Sequence, residues 1–302
     1  MTKNSMCLCL LLLAAVLLCL CILMQKPADE ESALSPTTIQ EVVEKDPPAD
    51  ALSAEDILST SHIIMHGMGQ LDGITVLNCR ESFEYYYDLG VRIFEVDLRM
   101  TSDGQVVLRH DWRAGWQDDI SELMIPTCDE FLARPYLGRY TPMSFRDLLL
   151  LMEEYPDVCI ITDTKFIDAE IVTSQFSAML ADAHALGLSY LFDRMVIQVY
   201  TPLMFRVVDH LGHFPHYIYT LYTIGFSCTE DDFLEKSEFC QQNGIHGLTM
   251  WDQWWDARYA PIAEEHGLRC YVHTVNGSDS AKSLLAQGIS AVYTDCIIPT
   301  DI

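Results

Sequence analysis

Basic side chains are scarce. Lys and Arg number 18 against 44 Asp and Glu, giving a formal charge of −26 at pH 7. So acidic a chain excludes non-specific nucleic-acid binding, which depends on neutralising phosphates with Lys and Arg. The 11 cysteines include no Cys-x-x-Cys spacing, so a zinc site is not expected. Cys159 and Cys270 sit in strand-like stretches and read as buried thiols. Near the N-terminus there is no convincing small-x-small cleavage site, and Leu20 before Cys21 is not the small residue that a lipoprotein signal needs.

What is present there is an unbroken apolar run, residues 7–24, long enough to cross a bilayer core as a helix. Residues 1–25 are therefore expected to form an uncleaved, single-pass membrane anchor at the cell membrane; a cleaved secretory signal is the alternative. The short tail before the run and the long acidic chain after it favour a folded domain outside the cytoplasm. Residues 26–57 are rich in Glu, Asp, Pro, Ala, Ser and Thr and poor in aromatics, a composition that cannot bury a core and reads as a solvated linker. Residues 58–302 form the expected domain. Half the chain is hydrophobic, enough for a sizeable core.

In that domain short β-like runs alternate with helical patterns. Strands are expected at 61–66, 91–97, 105–110, 157–163, 194–199, 215–220, 245–249, 268–273 and 290–294. Helices are expected at 78–89, 143–153, 167–186, 201–210, 229–241, 256–266 and 277–287. Such alternation implies parallel strands joined by crossover helices. One strand exceeds the eight of a closed barrel, and 105–110 is the irregular candidate. A doubly wound open sheet is the alternative.

The most informative stretch is Phe94-Glu-Val-Asp-Leu-Arg-Met-Thr-Ser-Asp-Gly-Gln-Val-Val-Leu-Arg-His-Asp111. Glu95 and Asp97 lie two apart in an apolar run, so on a strand they share a face. Ser102-Asp103-Gly104 is a turn signal followed by a second alternating run. If the chain doubles back there, Asp97 lands opposite Arg109 or His110. Two acids and an imidazole then share one end of a hairpin, a pattern suited to a hard divalent cation, Mg²⁺ or Ca²⁺, with an acid/base group beside it. Asp163 ends an apolar run and is either a third ligand or a helix cap. Lys165 shares its strand face and either pairs with an acid or contacts a phosphate oxygen. His66 also follows an apolar strand. In a closed barrel His66, Glu95, Asp97, Asp163, Lys165 and His273 all fall at or near strand C-terminal ends, where barrel active sites gather.

These pieces, in order, resemble the glycerophosphodiester phosphodiesterase family. The likeness rests on Ile63-Ile-Met-His-Gly67, Asn78-Cys-Arg-Glu-Ser-Phe83, the Glu-x-Asp to His-Asp hairpin, Thr141-Pro-Met-Ser-Phe145, Asp163-Thr-Lys165, His273-Thr-Val-Asn276 and Val292-Tyr-Thr-Asp295. It implies a somewhat distorted TIM-type (β/α)8 barrel, one divalent cation held by Glu95, Asp97 and Asp163, and His66 and His110 as an acid/base pair across a phosphodiester; we take His66 as the base and His110 as the acid, an order that the sequence itself does not fix. It also implies a small-molecule or lipid phosphodiester as substrate. Three departures stand out. Gly67 replaces the arginine usual after the first His, and Arg80 is the candidate to reach in for it. Asp163 stands where Glu is usual. His273 replaces the Trp usual before Thr-Val-Asn, either as a packed rim residue or as a leaving-group contact. Asn78 matches a position near the metal, although a helix N-cap is the preferred reading. The expected activity is metal-dependent phosphodiester hydrolysis. A phospholipase acting on intact membrane lipid and a non-catalytic barrel binding a phosphorylated ligand are the alternatives. The long stretch 111–142, with Trp112, Trp116, Tyr136 and Tyr140, reads as a lid or specificity element. Trp251, Trp254 and Trp255 read as rim packing or as a stacking surface.

Overall fold

The computed structural model describes residues 42–49, 51–113, 124–212 and 214–302. The anchor expected at 1–25, most of the linker and Trp116 lie outside the described residues. Among the described residues no helix is long and apolar enough to cross a membrane.

Eight strands form a closed parallel barrel: β1 (Ile63–Met65), β2 (Ile93–Met100), β4 (Cys159–Asp163), β5 (Met195–Val199), β6 (His216–Thr220), β7 (Gly247–Trp251), β8 (Arg269–His273) and β9 (Ala291–Thr294). Each pairs in parallel with its neighbour, and β1 closes the ring by pairing with both β9 and β2. The remaining strand, β3 (Val106–Leu108), is antiparallel and hangs on the outer end of β2. It is the irregular strand anticipated from the sequence. The open-sheet alternative is excluded by the β1 pairings.

The strands are buried on both faces, as parallel strands flanked by helices must be. Outward residues such as Phe94, Val96, Ile160 and Ile197 pack under the helices α2 (Arg80–Asp88), α4 (Phe145–Glu154), α5 (Ala169–Leu186) and α6 (Pro202–Leu211). Inward residues Ile64, Ile93, Ile161, Val196, Ile218 and Tyr271 fill the bottom of the barrel. The helices begin where the sequence supplies acceptors for their first N–H groups. Ser144 with Asp147 forms a reciprocal capping box on α4, and Asp168 caps α5, which ends at Gly187 in the left-handed conformation.

The folded region begins earlier than residue 58. Ser53 and Asp56 cap a helix, α1 (Ala54–Thr60), whose Ala54, Ile57 and Leu58 plug the bottom of the barrel. Upstream, Glu44 accepts hydrogen bonds from Ser189 and pairs with His184, and Lys45 pairs with Glu153. The last part of the expected linker thus lies along α4 and α5. In the 111–142 stretch, Trp112 is buried edge-on against Phe131 of α3 (Cys128–Leu132), beneath Val107 of β3. Trp112 therefore supports the hairpin rather than facing a ligand.

Candidate active site

Strand alternation decides what faces the barrel mouth. On β2 the inward series is Ile93, Glu95, Asp97; on β4 it is Ile161, Asp163; on β8 it is Tyr271, His273. Apolar residues at the bottom give way to chemistry-bearing ones above, so each strand contributes its site residue by counting two from the core. The parallel register places Asp97 level with Asp163 and Glu95 level with Ile161. Glu95, Asp97 and Asp163 are nearly or fully buried, and one carboxylate oxygen from each lies within 4.8 Å of the others.

Neighbouring groups hold these acids. The Gly67 N–H donates to Glu95 Oε2 at 2.6 Å. Asn78 clamps Asp97 twice: its Nδ2 donates to Oδ2 (2.7 Å), and its Oδ1 accepts from the Asp97 N–H (2.9 Å). The N-cap of α2 is Cys79, not Asn78, and Asn78 sits at φ +47° to reach Asp97. The N-cap expectation for Asn78 is thereby corrected. Lys165 Nζ lies 2.7 Å from Asp97 Oδ1 and also pairs with Asp163, and the Tyr200 hydroxyl donates to Asp163. Tyr293 donates to Gln198, whose amide lies 3.4 Å from the Tyr200 oxygen, so a polar chain crosses the barrel from β9 to β4.

Burial and the adjacent Asp97 charge push the Glu95 carboxyl well up. Burial opposes charge on Asp97 too, but Lys165, His110 and the Asn78 bond hold that carboxyl below its ordinary value. Two buried acceptors, Glu95 Oε1 and Asp97 Oδ1, make no hydrogen bond; the Lys165 ammonium beside the latter lacks the geometry. When all three are ionised the carboxylates outnumber the single ammonium by two charges, an imbalance that raises the Glu95 carboxyl in the absence of a cation. Unsatisfied oxygens and this charge fit a hard divalent cation.

His66 follows β1 at the same mouth. Its Nδ1 lies 2.8 Å from Asp295 Oδ1, and Asn276 clamps Asp295 as Asn78 clamps Asp97, with Nδ2 on Oδ2 (2.7 Å) and Oδ1 accepting from the backbone N–H (2.8 Å). Burial disfavours the charged ring, but the Asp295 bond and the charges of Glu95 and Asp97 outweigh it and raise its pKa to about 9. This arrangement orients the ring and leaves Nε2 as its working nitrogen. His110 lies on the rim beyond β3, exposed, with Nδ1 3.1 Å from Asp111. The hairpin brings Arg109 opposite Asp97, with its N–H on the Asp97 carbonyl at 2.8 Å, as the turn signal implied. Beside His110 opens a cavity of about 200 Å³ walled by Asn78, Arg109, Asp111 and Tyr136.

His273 is buried, with burial and the positive His66 and Lys165 lowering its pKa to about 3. It is ringed edge-on by Tyr222, Trp251 and Tyr293, and its Nε2 makes no hydrogen bond. Arg80 does not reach in. It pairs with Glu84 and Glu154 on the outer side. Trp254 and Trp255 pack against the core, whereas Trp251 is exposed and stacked on Tyr222.

No family model matches the sequence. Solved structures do resemble it. A phosphodiesterase from Oleispira antarctica, in complex with the product sn-glycerol-3-phosphate, shares 16% identity over 81% of this chain and 96% of that one, with a TM-score of 0.62. A glycerophosphodiester phosphodiesterase from Parabacteroides distasonis shares 16% over 78% and 92%, with a TM-score of 0.61. The fold is that of glycerophosphodiester phosphodiesterases. Within this glycerophosphodiester phosphodiesterase fold, the structure brings His66, Glu95, Asp97, Asp163, Lys165 and His273 to one mouth and sets His110 at its edge. Sequence reasoning assigned no role to Asp295, Asn276, Tyr200 or Gln198. The signal for Gln198 and Tyr200 was available, because they stand on the inward face two and four residues above Val196.

Proposed function

We propose that this chain is a cation-dependent phosphodiesterase acting on glycerophosphodiesters or a related polar phosphodiester. The observation that carries this reading is the convergence of three buried carboxylates and an Asp-backed imidazole at the C-terminal mouth of the barrel. Glu95, Asp97 and Asp163 would hold the cation, which when bound neutralises a non-bridging phosphate oxygen and favours attack at phosphorus. Asn78, Gly67 and Tyr200 fix those carboxylates. His66, oriented by Asp295, would turn Nε2 toward the reacting phosphorus, and His110 lies exposed at the rim. One imidazole takes the proton of the attacking hydroxyl and the other returns one to the leaving oxygen. The product bound to the Oleispira antarctica protein supports the substrate class.

The test is release of alcohol from glycerophosphodiesters, with intact phospholipid vesicles assayed in parallel. His66→Ala and His110→Ala should each lower kcat by roughly 10²- to 10⁴-fold. Activity surviving both substitutions would remove the acid/base assignment. Turnover of vesicles alone would favour the phospholipase, and ligand binding without turnover the non-catalytic barrel.

A further inference from the structure

A phosphodiester entering this mouth is an anion meeting an acidic protein, and it needs a positively charged partner from the chain. The nearby cations are engaged. Lys165 bridges Asp97 and Asp163, His66 is bonded to Asp295, and Arg80 is paired on the outer side. Arg109 donates to the Asp111 carbonyl and lies over the Tyr136 ring. Position 67 is closed to any longer residue. Gly67 sits at φ +52°, and a Cβ there would meet Val76 at 2.6 Å. A side chain beside His66 therefore cannot supply the charge.

Arg99 remains. It is the next inward position on β2 after Glu95 and Asp97, where the strand rises past the barrel rim and pairs Arg99 with Val107. Its Nε donates to the His110 carbonyl at 2.9 Å, and its guanidinium carbon lies 5.0 Å from the centre of the Phe166 ring, just after Lys165. The side chain is only partly buried and spans the gap between the His110 loop and the loop after β4. Among the described residues its two terminal nitrogens have no hydrogen-bond partner, and it forms no ion pair although Asp97, Asp111 and Asp163 all act on its charge.

We propose that Arg99 is the phosphate-binding guanidinium of this site, donating its terminal N–H groups to the non-bridging oxygens of a phosphodiester or phosphomonoester. The inference rests on the phosphodiesterase reading and deepens it by naming the residue that receives the anion. Nε, anchored on His110, fixes the plane of the fork, and the Phe166 face supports it. A planar guanidinium held in this way suits two phosphate oxygens at once. Binding of the anion is thereby coupled to the position of the His110 loop.

The experiment is calorimetric titration of the full chain, in Mg²⁺, with sn-glycerol 3-phosphate and with inorganic phosphate, alongside steady-state kinetics. Arg99→Ala and Arg99→Gln should weaken binding roughly 10- to 100-fold and raise KM comparably, with Tm unchanged. Arg99→Lys keeps the charge and should fall between them and the wild type. Added free guanidinium should restore part of the affinity of Arg99→Ala. Wild-type affinity in Arg99→Ala and Arg99→Gln would overturn the proposal. So would a loss confined to kcat that Arg99→Lys shares in full, because that pattern describes a brace for His110. A wild type that binds glycerol phosphate but hydrolyses no diester would overturn the phosphodiesterase reading and leave the Arg99 result standing. A wild type that binds neither anion would overturn both.

Discussion

The two halves of the barrel mouth are chemically unlike. Strands β1, β2, β4 and β9 present His66, Glu95, Asp97, Asp163 and Asp295, each carboxylate held by a neighbouring amide, hydroxyl or ammonium. Strands β6 to β8 present Tyr222, Trp251 and His273, ring against ring, with the imidazole kept neutral by burial. The same inward alternation builds both halves, and only the residue chosen at the top of each strand differs. Under the proposed function the charged half would hold the cation and move protons. The aromatic half offers flat apolar faces around one buried nitrogen, and under the proposed function it would receive the alcohol group without reacting with it.

The sharpest way to break this contrast is to loosen one clamp on the charged side. Asp295→Asn keeps the size of the side chain but removes the charge that orients His66. It should lower kcat roughly 10- to 100-fold with little change in KM. An unchanged kcat would mean that Asp295 only packs the mouth. On the aromatic side the effect should fall on KM instead. Trp251→Ala removes an exposed face stacked on Tyr222 and should raise KM by about 2- to 10-fold while leaving kcat nearly intact. A dominant loss of kcat would place Trp251 with the charged half.

A further expected effect concerns stability. The folded His273 titrates near 3, below its ordinary 6.5. As pH falls through 6.5 the unfolded chain takes up a proton that the folded chain refuses, so this group destabilises the fold progressively toward acid. The slope is at most about 1.4 kcal/mol per pH unit. Urea unfolding between pH 7 and 5 should show a shallower loss for His273→Gln than for the wild type. Parallel curves would show that His273 titrates normally.

The order of elements was legible because apolar runs of period two alternate with capped helical runs over the whole domain. Closure was legible only through the family resemblance and not from the alternation itself, because it rests on β1 pairing with β9, more than two hundred residues away in sequence. The place of Glu95, Asp97, Asp163 and His66 at the barrel mouth was legible because each stands in or just after an apolar strand run. Their supports were harder to see. Asn78 reads as a helix cap until its left-handed backbone turns it toward Asp97, and Arg80 reads as free until α2 and α4 place Glu84 and Glu154 beside it. The capping box at Ser53 was readable, but the acidic composition around it concealed α1.

The most direct test of the account is a calorimetric titration of Mg²⁺ or Ca²⁺ into the metal-stripped wild type, Glu95→Gln and Asp97→Asn. One cation should bind the wild type and restore hydrolysis, and both variants should lose that binding. Full hydrolysis in excess chelator, or cation binding unchanged in both variants, would contradict the assignment of the buried acids as a metal site.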